Sequence, residues 1–386
     1  MRALAMLLIL LTACARTPQP VVAVSPTPEP GLLEVTAFLD LSGDRAPRGD
    51  AQRNALTLWN DLSQARGRGP VRAKVTVVDV GGSDARLLIE LRRAAVETRA
   101  DAVIIGVPVS FATPGFAEAV QAAGLPLLMT MPVDEPVAER GGRWAFGVAP
   151  TPDQIARKVV VITESSLDTI VITAATRPAD AEADAILREW RRATRTFPQE
   201  LRLDRREDSL QAAVRLAGVP AVSGTGRRVH LAGPPRQWGA LGSALKQGGR
   251  GATYVLSYLT EHTDLGEFRD GIDAIWPAPL HLTLASIPPN QAASARRQFV
   301  QSYTDRHGAP TGHAVAAFDA MSILVLAAER AGTDDRERLR EQLELTTLAG
   351  IATTYAFSVT RHSGHSGEDI ALYRWSGTAP ALDTRR

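Results

Sequence analysis

Along residues 33–132 the apolar positions alternate between two rhythms. Short continuous runs at 33–39, 71–80, 102–106 and 125–129 are separated by stretches in which apolar residues recur every three or four positions. The run AVIIG at 102–106 contains no polar position, as expected of a strand in a parallel sheet with helices on both faces. Between the runs, Ala55, Leu56, Leu58, Trp59 and Leu62 share one face of a helix over 50–62. Leu87, Leu88, Leu91 and Ala95 share a face of a second helix, opened by Ser83 or Asp84 and reaching Val96. A third helix over 116–123 has Pro114 just before it and Gly124 just after it. Strand and helix in alternation predict parallel pairing with right-handed crossovers.

A second series of the same kind spans roughly 150–275. Helices are predicted over 152–163, 179–193, 209–217 and 238–245, and strands over 169–173, 201–203, 229–232 and 252–257. The segment 271–277 then leaves this unit in an extended form. Helices over 291–307, 312–330 and 336–345 follow, and strands over 355–359 and 370–375 close the chain. The fold class is α/β with two doubly wound units, and 386 residues exceed what one core usually supports.

In such sheets the carboxyl ends of the strands are where helix N-termini and loop hydroxyls converge on a ligand. Ser110 and Thr113 follow the run at 102–106, and Thr130 and Asp134 follow the run at 125–129. The competing reading is that these four are N-caps of the next helices, which Ser, Thr and Asp favour.

Charge and motif content remove several function classes. Lys and Arg number 43 against 42 Asp and Glu, a net charge of +1 that gives no basic field for nucleic acid. There is no nucleophile elbow, HExxH or P-loop, and Gly224-Thr-Gly226 lacks a third glycine and a preceding apolar strand. His362 and His365 form the one close histidine pair, but without cysteine or paired carboxylates they read as loop residues rather than metal ligands. Neither enzyme activity, a cofactor nor a metal is expected.

At the N-terminus, Arg2 precedes an apolar stretch over 3–10, too short to span a bilayer as a helix, and Leu11-Thr-Ala-Cys14 ends it. This resembles a bacterial lipobox, which implies cleavage before Cys14 and a lipid on its sulfur. Cys14 is the only cysteine, so no disulfide within the chain is expected. Residues 15–31, rich in proline, read as an extended tether.

The tail carries a family resemblance. The helix VAAFDAMSILVLAAERAG at 315–332, then LREQL at 339–343, LAGIATTYAF at 348–357 and the His362-Ser-Gly loop resemble the C-terminal signature of the leucine/isoleucine/valine-binding-protein family. The Ser42-Gly43 turn after the first strand, Gly49 before a helix, and the spacing of Gly106 to Ser110 are similar as well, and the resemblance covers about 32–376. Members are solute-binding proteins of ATP-driven importers. The resemblance implies two Rossmann-like lobes joined by a three-crossing hinge, with the ligand in the cleft. The crossings fall near 147–150, 276–284 and 358–362. One lobe is then 32–148 plus 281–358, and the other 149–280 plus 359–386.

The resemblance further implies ligand-binding roles. Ser110 matches the serine that holds the ligand carboxylate, with Ser42 and Thr113 in the same group of strand-end hydroxyls. Thr130 and Asp134 lie in the next ligand loop, Tyr258 and Glu261 in the loop that carries an acidic group for an α-amino nitrogen, and Phe318 at an aromatic position bordering the pocket. Two departures stand out. QARGRGP at 64–70 replaces the family's Asn-x-x-Gly-Gly, and AAT at 174–176 replaces a usual pocket wall. The expected function is a lipid-anchored extracytoplasmic protein that presents a small polar solute to ABC permease subunits. The alternative is a lipoprotein of the same fold that binds a protein partner in the envelope.

Overall fold

Strand β3 (Ala102–Ile105) is buried at every position and lies between two parallel neighbours, as its uniformly apolar sequence requires. It belongs to the first of two sheets in a computed structural model. The described residues are 31–65, 70–98, 100–133, 142–163, 168–173, 177–194, 198–202, 227–233, 252–261, 273–332, 335–375 and 380–384. Cys14, the tether over 15–30, Asp134, Gly224-Thr-Gly226 and the helices expected over 209–217 and 238–245 lie outside them.

The first sheet has the order β2-β1-β3-β4-β5, from β1 (Gly31–Leu39), β2 (Val71–Asp79), β3, β4 (Leu127–Met129) and β5 (Ala145–Gly147), all parallel. Helices α1 (Ala46–Ala65), α2 (Asp84–Val96) and α3 (Phe116–Ala123) are the connections. Ser83 caps α2 through its hydroxyl, which accepts from Arg86 N at 3.2 Å. Phe38, Val103, Ile105 and Phe116 are fully buried between this sheet and the α2–α3 layer, each contributing roughly 1.5–3 kcal/mol.

After β5 the chain enters the second unit with α4 (Pro152–Thr163), β6 (Asp168–Thr173), α5 (Arg177–Thr194), β7 (Gln199–Arg202), β8 (Arg227–Ala232), β9 (Ala252–Leu256) and β10 (Asp273–Pro279). It returns to the first lobe for α6 (Ser294–His307), α7 (Gly312–Ala331), α8 (Arg336–Glu344) and the antiparallel pair β11 (Thr347–Ala349) and β12 (Thr354–Ala356). Finally β13 (Ile370–Trp375) and β14 (Pro380–Leu382) complete a sheet of order β14-β13-β10-β9-β8-β6-β7. The segment expected to leave this unit is therefore one of its strands. β10 is parallel to β9 over Asp273 to Ile275 and antiparallel to β13 over Ile275 to Pro279.

Helix α7 is the buried pillar of the first lobe. Thr311 caps it, Gly332 ends it in a left-handed conformation, and it packs along α1, where Trp59 Nε1 donates to Ser322 Oγ at 3.1 Å. On its buried side Asp319 accepts hydrogen bonds from Ile351 N at 2.8 Å, Ala352 N at 2.9 Å and the Tyr355 hydroxyl at 3.0 Å. One carboxylate thus fastens the β11–β12 turn to the pillar.

The passages between the two lobes are tied to one another. Gly147 N donates to His362 O at 2.8 Å and Gly364 N to Gly147 O at 2.9 Å, so two passages run as a short parallel bridge. At the third passage the Tyr373 hydroxyl donates to Leu280 O at 2.6 Å. His362 and His365 lie in the loop between β12 and β13, and both are buried. His362 stacks on Phe146 with centroids 4.3 Å apart, its Nδ1 lies 2.9 Å from Ala145 O, and its Nε2 faces Glu344 at 3.4 Å. Burial lowers its pKa and pushes that of His365 down to about 4, so the His365 ring is a neutral part of the hinge at ordinary pH.

Candidate functional site

The carboxyl ends of strands from both sheets meet across a cleft. Val109 and Ser110 follow β3, Pro132 follows β4, and Tyr258 and Leu259 follow β9. Pro152 and Ile155 come from the first turn of α4, and Ala181 and Glu182 from α5. This is where open α/β sheets place ligands.

On the first-lobe side the Ser110 hydroxyl accepts from Ala112 N at 3.0 Å, and Ser110 O accepts from Thr113 N at 2.9 Å, so the loop folds on itself before the helix begins. The residue that caps α3 is Gly115, at φ +78° and with no side-chain cap. Ser110 and Thr113 are thus not N-caps of α3, and the helix-capping reading of these two is corrected.

Thr130 is fully buried and its hydroxyl is spent within the protein, donating to Gln52 Oε1 at 2.6 Å while Gln52 Nε2 donates to Gly106 O at 2.7 Å. This network ties α1 under the floor of the cleft. It also explains Gly106, where a Cβ would collide with Gln52 and Leu39.

The second-lobe side is built around Glu182, one turn into α5. Its carboxylate accepts from Ser257 Oγ at 2.5 Å and from the backbone N–H groups of Tyr258 and Gly233. Burial outweighs these bonds and raises its pKa to about 7. Sequence reading missed Glu182, although a signal existed: it lies four residues before Ile186 and eight before Trp190, both buried, which puts a carboxylate on the apolar stripe of α5.

Beside the cleft the lobes touch through a buried polar cluster. Arg48 Nη1, from α1, donates to Leu259 O at 3.2 Å, and Glu261 Oε1 lies 3.5 Å from His313 Nε2 on α7. Burial, aided by Arg48, pushes the His313 pKa down to about 3, so this contact is to a neutral imidazole and not an ion pair. Tyr258 packs edge-on against the same ring at 5.9 Å, its hydroxyl beside Gly312, and burial pushes its phenol pKa up.

Among the residues expected at the site, Ser110 and Tyr258 line the cleft. Thr113 and Thr130 are buried next to it, and Glu261 is turned into the interlobe cluster. Ser42 is exposed at the end of β1 and hydrogen-bonds the Asp79 carboxylate. Phe318 does not border the cleft; it packs in the first-lobe core on Phe299 at 4.6 Å. Among the described residues no group of His, Cys, Asp and Glu is placed to hold a metal ion, and no helix is long and apolar enough to cross a membrane.

With the geometry in place, comparison with known proteins is informative. A family model described as periplasmic binding protein matches residues 270–379, the stretch that carries the C-terminal family signature. No curated protein matches the sequence. Among solved structures, the chain is similar to an extracellular ligand-binding receptor from Rhodopseudomonas palustris, with a TM-score of 0.77 and 16% identity over 92% of this chain and 100% of that one. It is similar to a leucine binding protein from Thermotoga maritima, with a TM-score of 0.74 and 14% identity over 91% and 98%. It is also similar to a branched-chain amino acid transporter substrate binding protein from Streptococcus pneumoniae in complex with isoleucine, with a TM-score of 0.74 and 14% identity over 91% and 99%.

Proposed function

From a chain that has the type I periplasmic-binding-protein fold, we propose an extracytoplasmic solute-binding protein of an ATP-driven importer. Its two lobes close on a small polar solute, an amino acid or a related amide or carboxylate. The observation that carries this reading is the cleft itself, lined by Ser110 from one lobe and by Glu182 and Tyr258 from the other. Burying a polar solute requires protein groups to replace its water. Hydroxyls and a carboxylate on opposite walls supply that replacement only when the lobes are together, so binding and closure are one event. The hinge is suited to it, because the passages between lobes pair through backbone hydrogen bonds that can twist without breaking either sheet.

The lipobox-like Leu11-Thr-Ala-Cys14 completes the proposal. A lipid on Cys14 and the proline-rich stretch that follows hold the lobes near a membrane, where permease subunits receive the solute. A thermal-shift screen over amino acids, amides, amines and small carboxylates tests the reading. A compound at 100 times its dissociation constant adds about 2.7 kcal/mol of stability. The proposal expects at least one such compound; a screen without any, together with capture of one envelope protein at fixed stoichiometry, favours the partner-binding alternative.

A further inference from the structure

Glu182 is the feature of the cleft that the family resemblance leaves without a role. It is only 8% exposed, yet it forms part of the cleft wall. Three donors hold it, the Ser257 hydroxyl and two backbone N–H groups, and all are dipoles. Among the described residues that line the cleft there is no Lys, Arg or His. A carboxylate with two oxygens accepts about four hydrogen bonds, and the described residues supply three. A buried carboxylate that lacks a counter-charge is costly, and such groups are normally paired.

The rest of the lining is badly suited to an anion. Pro132 and Pro152 have no N–H to offer. Glu261, the acidic residue expected to take an amino group, is instead turned toward His313 between the lobes. Val109, Ile155, Ala181 and Leu259 give the remaining wall an aliphatic surface.

We infer that the cleft is an amine site: it takes a ligand with a small aliphatic body whose ammonium docks on the Glu182 carboxylate, and a carboxylate on the ligand is not needed. This rests on the cleft being the solute site. Burial raises this carboxyl to about 7, and no charged side chain among the described lining residues offsets it.

Five compounds that share one aliphatic body test it on the full chain by thermal shift and calorimetry: isopentylamine, leucinamide, leucine, isovaleramide and isovalerate. The expected ranking puts isopentylamine and leucinamide at or above leucine, isovaleramide at least tenfold weaker than isopentylamine, and isovalerate without effect. Glu182→Gln, which keeps the shape, is expected to weaken isopentylamine at least tenfold. Should that variant fail to fold, the ranking on the unaltered chain decides alone. The inference is overturned if isovalerate or leucine binds more tightly than isopentylamine, if Glu182→Gln leaves the amine within a factor of two, or if none of the five binds. Hits without an amine in the broader screen would sink the ligand class and leave solute binding standing; no hits in either set would sink both.

Discussion

Tyr355→Phe isolates one bond that fixes the β11–β12 hairpin to the pillar helix just before the chain crosses to the second lobe. The ring is fully buried and lies 6.5 Å from Phe357, and the substitution keeps it there. Only the hydroxyl is lost, and with it the 3.0 Å bond to Asp319. Burial raises the Asp319 carboxyl to about 6, against the hydrogen bonds from Ile351, Ala352 and Tyr355. At pH 7.5 the carboxyl is ionised, and a hydrogen bond to a charged group is worth about 1.5–3 kcal/mol. At pH 4.5 it is protonated in the folded chain, and the same bond is worth about 0.5–1.5 kcal/mol.

The sign follows from linkage. A carboxyl whose folded pKa is raised contributes stability that is fully present below its unfolded value and is lost as pH rises through the folded one. Removing a donor raises the folded pKa further, by roughly one unit, so the extra loss of about 1–1.5 kcal/mol appears as pH rises from 4.5 to 7.5. Urea unfolding followed by tryptophan fluorescence at both pH values measures it. Equal losses at the two, or a loss below about 0.5 kcal/mol at pH 7.5, would refute the argument.

Three further outcomes are expected. The Glu182 carboxyl, at about 7 when folded against 4.5 for its ordinary value, makes the protein lose about 3 kcal/mol between pH 4.5 and 8; in Glu182→Gln this part of the slope vanishes in a pH series of unfolding curves, and an unchanged slope would contradict it. Ser110→Ala, measured by calorimetry with the strongest compound of the screen, weakens binding roughly 3- to 10-fold and lowers stability by about 0.5–1.5 kcal/mol through the lost bond from Ala112 N. Cys14→Ser moves the protein from the membrane to the soluble fraction; retention after a high-salt wash would remove the lipid anchor from the proposal.

Much of the fold was legible because period and burial agree. AVIIG at 102–106 could only be a doubly covered strand, and the helical stripes of α1 and α2 announced their inner faces. β10 was misread as a departing segment because Pro277 and Pro279 argue against an interior strand. The structure accommodates them because β9 pairs only as far as Ile275; beyond it β10 has a ladder on the β13 side alone. β5, β11 and β12 span three residues each, too short for any period.

The site was legible where a rule of position applies, as for Ser110 and Tyr258 at strand ends. It was not legible where a side chain's partner decides its use. Thr130 stands at a strand end too, but Gln52 takes its hydroxyl. Phe318 belongs to a stripe that is buried all round, so sequence cannot say which side meets the cleft. Glu182 needed the converse inference, that a carboxylate on an apolar stripe has a reason to be there.

Closure of the two lobes on a solute is tested most directly by the distance between their rims. Cys14→Ser leaves no cysteine in the chain, so spin labels can be placed at Ala112→Cys, two residues beyond Ser110, and Asp153→Cys, next to Pro152; both positions are exposed on opposite rims. Pulsed electron–electron resonance with and without the strongest compound of the screen should show a shorter and narrower distance distribution when the compound is bound. A distribution that does not change while the same sample shows the thermal shift would contradict binding between the lobes.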